Sequence, residues 1–144
     1  MSVGRLLSWC LLLGLLLGSS SLAQKPDFKA AVQQREKRLG ELKAEIKQLP
    51  ALTAELEALE KQLQALVKST GKQPPEQPAP VVPSPTLTAV TPVNYPDYTP
   101  GQQAQLKQLD QEIRQVEAML PVVQERRTRI ARMKAQVALM KKSR

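Results

Sequence analysis

Histidine is absent from this 144-residue sequence, and cysteine, tryptophan and phenylalanine occur once each. Without histidine, catalytic triads, zinc sites and haem ligation lack their usual residue. Cys10 and Trp9 both lie in an apolar N-terminal run, so few large aromatic side chains remain to build a compact core. We therefore expect a non-enzymatic chain of elongated helices with no cofactor, no metal site and no small-molecule substrate.

The N-terminal residues 1–23 are typical of a secretory signal peptide. Arg5 supplies the positive charge, residues 6–17 form the short apolar segment, and Ser21-Leu22-Ala23 fits the small-x-small cleavage pattern. Cleavage after Ala23 would export a chain with no cysteine and a net charge of +7, given that the full chain carries +8 and loses Arg5. The alternative is an uncleaved membrane anchor, which the short apolar run favours less. We expect a periplasmic or extracellular location.

Two segments carry leucine, isoleucine and valine at alternating steps of three and four, the seam spacing of coiled coils. The first arm covers residues 24–71 and the second arm residues 99–144. Each contains a Leu-Pro pair, ending at Pro50 and at Pro121, where we expect a kink because proline removes a backbone hydrogen bond and clashes with the preceding turn. The fold class predicted is therefore all-α, with two long coiled-coil-like helices.

Residues 72–98 form a proline-rich linker that we expect to be extended or disordered, because nine prolines fall between Lys72 and Pro100. Thr99, Pro100 and Gln102 then form a capping signal for the second arm. Gly71 is a suitable C-cap for the first arm.

Two pairings of the arms remain open. An antiparallel hairpin is favoured by topology, since it brings the two Leu-Pro kinks to one level. A parallel pair is favoured by charge, since it places Glu55 and Glu60 near the basic end of the second arm and Arg35 near Asp110. Exposed ion pairs contribute only about 0.2–1 kcal/mol each, so we favour the hairpin. Arg35 and Arg127 occupy seam positions, where polar residues can specify register or oligomeric state, but we favour side chains that lie along the seam and extend their guanidinium groups into water.

The second arm ends in a run of positive charge with no acidic residue after Glu125. These side chains are candidates for binding an anionic lipid or cell-wall polymer, although pairing with glutamates of the first arm would explain them as well. Nucleic acid is not expected, because no aromatic residues are interleaved with the charges. The candidate anion-binding residues are Arg126, Arg127, Arg129, Arg132, Lys134, Lys141, Lys142 and Arg144.

The acidic cluster of Glu55, Glu57 and Glu60 lies on a polar helix face, so we assign it a structural role instead of acid–base chemistry. In element order the chain resembles phage spanin subunits and the membrane-proximal coils of type IV pilus alignment proteins, a likeness of architecture only. The leading hypothesis is an exported spacer, scaffold or assembly factor of a bacterial cell envelope, with a protein partner or self-association through the seams. The alternatives are an envelope-binding module with a basic C-terminal helix, or a membrane-anchored tether.

Overall fold

The computed structural model describes residues 27–143, and within them the chain is helical with an extended connection. The first arm consists of α1 (Phe28–Ile46) and α2 (Leu49–Thr70), and the second arm of α3 (Pro100–Glu117) and α4 (Leu120–Lys142). A short 3-10 helix, Tyr95–Asp97, precedes α3. The all-α prediction is confirmed. The predicted signal peptide and Arg144 lie outside the described residues.

Local sequence signals define the helix ends. Thr99 caps α3 with a reciprocal capping box to Gln102, and Pro100 occupies the first turn, where a missing N–H costs nothing. Gly71 ends the first arm in the left-handed conformation, with φ of 65°, and donates its N–H to the carbonyl of Val67. These three signals appear where the sequence placed them.

Each arm is slightly bent at its Leu-Pro pair, as predicted. The helical ladder is interrupted one to two residues before the pair, at residues 47–48 in the first arm and 118–119 in the second. Pro50 and Pro121 therefore fall in the first turn of α2 and α4, where proline is tolerated.

The two arms lie parallel, and the antiparallel hairpin is wrong. Helix α1 packs against α3 and α2 against α4, with no reversal of order. Along the seam, Leu42 meets Ile113, Leu56 meets Ile130, and Leu66 meets Val137. The physical reason is that the parallel register joins charges of opposite sign at several levels, whereas the coincidence of two kinks supplies no comparable contact.

The connection, which we call the strap (residues 72–98), runs back along both arms. Gln136 donates to the Pro75 carbonyl at 3.1 Å, Gln124 to the Val82 carbonyl at 2.7 Å, and Thr91 donates its N–H to Gln34 at 3.3 Å. A polyproline II segment rises about 3.1 Å per residue, so the strap is long enough to retrace an arm of about 65 Å. The strap contains no helix or strand before Tyr95.

The core is a narrow seam closed on one side by the strap. Leu42 and Leu106 are fully buried, and Val123 is 1% exposed. Leu87 and Val90 of the strap pack against the cluster around Leu42. Burying side chains of this size contributes about 1.5–3 kcal/mol each, so the apolar seam is the main source of stability.

Candidate functional site

The predicted anion-binding residues of α4 do not form one free surface. Arg129 binds Glu60 at 2.7 Å and Lys134 binds Glu55 at 2.6 Å, measured between side-chain nitrogen and carboxylate oxygen. Arg127 binds Glu45 of α1 at 2.7 Å. These three cations are therefore used to hold the second arm against the first.

Arg126 also faces the first arm, where its guanidinium donates to the Thr53 hydroxyl. The other predicted residues lie elsewhere: Arg132, Lys141 and Lys142 are exposed, and none has an ion pair within residues 27–143. The structure thus separates the predicted set into cations that join the arms and cations that face solvent.

The acidic cluster of α2 is accounted for by the same contacts. Glu55 and Glu60 each bind a cation of α4, while Glu57 is exposed. Carboxylates that work as an acid and a base need a shaped, water-excluding site that separates their pKa values. The ion pairs of Glu55 and Glu60 lie at the surface between the arms and do not form such a site.

A buried polar network at the α1–α3 contact is the least expected feature of the molecule. The side chain of Arg35 is only 2% exposed. Its Nε donates to Asp110 at 2.8 Å, its Nη2 to the second carboxylate oxygen at 3.4 Å, and its Nη1 to the Ala31 carbonyl at 3.1 Å. The expectation that this guanidinium reaches water is wrong, because a carboxylate 75 residues away satisfies it inside the seam.

Tyr95 of the strap also belongs to this network. Its hydroxyl donates to the Asp110 carboxylate, and Lys107 lies 5.4 Å from the ring centroid in a cation–π contact. The hydrogen bond to Asp110, with partial burial, raises the pKa of the Tyr95 hydroxyl above its usual value. The tyrosine therefore stays protonated and anchors the strap at the level of Arg35.

A second pair of contacts fixes the strap one turn further along. Arg38 binds Glu117 at 2.7 Å and also donates to the Thr88 carbonyl at 3.2 Å. Glu41 accepts hydrogen bonds from both the backbone N–H and the hydroxyl of Thr88, each at 2.6 Å. These bonds lower the pKa of the Glu41 carboxyl, so the charged form is favoured in the folded state.

An open cleft of about 470 Å³ lies between this part of the strap and α3. Its charged walls include Arg35, Arg38, Asp110 and Glu117, which already bind one another. Among residues 27–143, no cluster of three metal-ligating side chains occurs. The arrangement can fix the direction and register of three chain segments, namely α1, α3 and the strap.

Part of this network could be predicted from the sequence. The parallel register places Arg35 next to Asp110, and that proximity is visible in the charge pattern. The role of Tyr95 and Thr88 had no such signal, because strap residues follow no helical period and their partners depend on where the strap lies.

No family model matches the sequence, and no curated protein or solved structure matches it significantly. In the described part of the chain, none of the helices combines the length and the hydropathy that a bilayer crossing requires.

Proposed function

We propose that this protein is an exported, non-enzymatic spacer of a bacterial cell envelope, which holds two attachment points a fixed distance apart. The observation that carries the proposal is the parallel direction of the arms. Asp27, at the start of α1, and Ser143, after the end of α4, lie at opposite ends of a helix pair about 65 Å long. An antiparallel hairpin would have brought both to the same end.

The internal use of the apolar seams supports a spacer over a chain that must pair with a second copy. The leucines and valines at coiled-coil spacing face each other within one chain. The strap covers part of the remaining groove through Leu87 and Val90. Because the apolar seam is already packed within one chain, we expect partners to bind at the ends of the rod.

The non-enzymatic part of the proposal is supported by how the titratable groups are used. Glu55 and Glu60 bind cations of the other arm, and Asp110 is shared by Arg35 and Tyr95. The export part is supported by the apolar segment of residues 6–17 and by the lack of cysteine from residue 24 onward.

A second candidate is an envelope-binding module or anchored tether, in which the basic end of α4 grips an anionic surface. Lys141 and Lys142 favour it, because both are exposed and have no carboxylate partner in the described part of the chain. The two candidates differ in whether both ends of the rod find partners or only the basic one.

The test places one photo-crosslinking residue at a time on the exported chain in living bacteria, at exposed positions Lys29, Ala51 and Ala138. A spacer predicts that the two end positions capture different partners and that Ala51, midway along the first arm, captures neither. Capture of one partner at all three positions, or of none at Lys29, would contradict the spacer function.

Rod geometry is checked on the same protein with spin labels at Glu36 and Gln111, both exposed and on facing helices. The parallel arrangement predicts a separation near the interhelical spacing of about 10 Å plus the reach of the labels. An antiparallel pair would separate them by several helical turns, and that result would remove the basis of the proposal.

A further inference from the structure

The end of the rod where α2 and α4 terminate carries an excess of positive charge. We call the exposed lysines there the basic tip: Lys68 and Lys72 of the first arm and its cap, and Lys141 and Lys142 of the second. Residues 66–75 and 133–143 contain no aspartate or glutamate, and Glu76, which follows Pro75, has no ion pair among the described residues. The four lysines therefore leave the tip with an excess of positive charge even when Glu76 is counted.

The tip differs from the positive charges further down α4. Arg127, Arg129 and Lys134 bind glutamates of the first arm, so their positive charges are already paired within the molecule. The four lysines of the tip have no ion pair within the described residues. The C-termini of two helices add a negative partial charge of about 0.5 each, which is far less than the four positive charges.

An apolar element lies among these lysines. Leu139 is 39% exposed, and with Pro75 and Met140 it lines a shallow cleft of about 350 Å³ whose rim includes Lys72. Lysine stems flanking an exposed leucine match the boundary of a bilayer, where ammonium groups meet phosphates and the aliphatic parts enter the acyl region. A soluble polyanion would use the charges and gain little from the leucine.

We propose that the basic tip docks end-on to an anionic phospholipid surface. The inference rests on the proposed spacer function, because a spacer binds through its ends while its flank stays free. Charge complementarity provides the attraction, which falls off within a Debye length and weakens with salt. Leu139 then adds shallow apolar contact, which salt does not screen.

The binding test uses the exported chain and vesicles of phosphatidylcholine alone or mixed with phosphatidylglycerol. The neutral vesicles measure any binding that does not depend on lipid charge. The tip variant replaces Lys68, Lys72, Lys141 and Lys142 with glutamine. The control variant has the same change in net charge and replaces the exposed lysines Lys29, Lys37, Lys47 and Lys61 with glutamine.

We expect the tip variant to lose affinity for the anionic vesicles by at least about tenfold, while the control loses less than about twofold. Equal losses would mean that only net charge matters and would overturn the inference. Circular dichroism melting of both variants shows whether they fold; if the tip variant does not, Lys141→Gln with Lys142→Gln alone must still weaken binding more than Lys29→Gln with Lys37→Gln.

Leu139→Ser separates lipid from polymer. A lipid surface predicts weaker vesicle binding with unchanged retention on immobilised polyglutamate, whereas unchanged vesicle binding would point to a polymer and overturn the lipid assignment. The outcome is independent of the spacer test. If the tip and control variants lose vesicle binding equally while crosslinks form only at the two ends of the rod, the tip proposal alone is rejected. If the tip variant loses vesicle binding selectively but crosslinks form along the whole flank, the spacer function alone is rejected.

Discussion

The two halves of the rod are built from similar sequence but are held together differently. In the α1–α3 half, buried Arg35, Asp110 and Tyr95 of the strap form one polar network, and Thr88 of the strap joins a second with Arg38 and Glu41. In the α2–α4 half, leucines and methionines fill the seam, and the ion pairs lie at its surface. Apolar clusters pack both halves, and among the described residues the first half adds a buried ion pair to them.

The difference shows where register is encoded. Leucine seams tolerate a shift by one heptad, because every position offers a similar apolar surface. The ion pairs of the first half do not tolerate such a shift, since a move of one heptad places either Gln103 opposite Arg35 or Gln124 opposite Arg38, and one of the two pairs is lost. The first half therefore sets the alignment that the second half follows.

The largest expected effect compares the loss of one carboxylate from each half. Asp110→Ala leaves Arg35 buried without its partner, and we expect the free energy of unfolding to fall by about 3 kcal/mol. Glu60→Ala removes a surface pair with Arg129, and we expect a loss below about 1 kcal/mol that salt abolishes. Urea unfolding at two salt concentrations measures both, and equal losses would erase the distinction between the halves.

The second prediction concerns the joint between the halves, where both arms bend. Relative to the Arg35–Asp110 register, the two interruptions differ by four residues, or one helical turn. Pro50→Ala or Pro121→Ala alone straightens one arm against a bent neighbour, so we expect little gain. The double variant lets both arms straighten, and its stability should exceed the sum of the single effects by about 1 kcal/mol. Strict additivity in thermal unfolding would show that the bends are independent.

The smallest expected effect is a pH response confined to the first half. Folding lowers the pKa of Glu41, so its contribution is present above the ordinary glutamate pKa and is lost as pH falls through the lowered value. Folding raises the pKa of Tyr95, so its contribution is present below about pH 10 and is lost as pH rises further.

Spin labels at Gln33 and Ala89, both exposed, report how closely the strap follows α1. Their distance distribution should broaden in acid and again in strong alkali, with no matching change between labels on α2 and α4. Glu41→Gln should remove the acid step and leave the alkaline one, and Tyr95→Phe the reverse. A distribution that stays narrow at both extremes would mean that these contacts do not hold the strap.

The features that follow from nearby residues could be predicted from the sequence. The capping box at Thr99, the left-handed cap at Gly71 and the bends at the Leu-Pro pairs depend on a few adjacent positions, and all are present. Helix content followed from the three-and-four spacing for the same reason.

The parallel direction of the arms and the partners of the charged side chains could not be predicted in this way. Each cross-arm ion pair is weak alone, so the sequence offers no single contact that outweighs the topological case for a hairpin. The burial of Arg35 depends on Asp110 and on Tyr95 of the strap, which meet it only once the arms are parallel. The division of the basic residues of α4 likewise depends on which glutamates the register brings opposite them.

The parallel direction of the arms also determines how the molecule bears a load. A pull on residue 27 and on residue 143 draws the first arm one way and the second arm the other, along their common axis. The seam is then loaded in shear, so the Arg35 network, the leucine layers and the surface ion pairs resist together. In a hairpin pulled from adjacent ends, the same contacts would open one after another. Rupture of the parallel rod therefore requires concerted sliding, and its lifetime under tension is set by a single unfolding barrier.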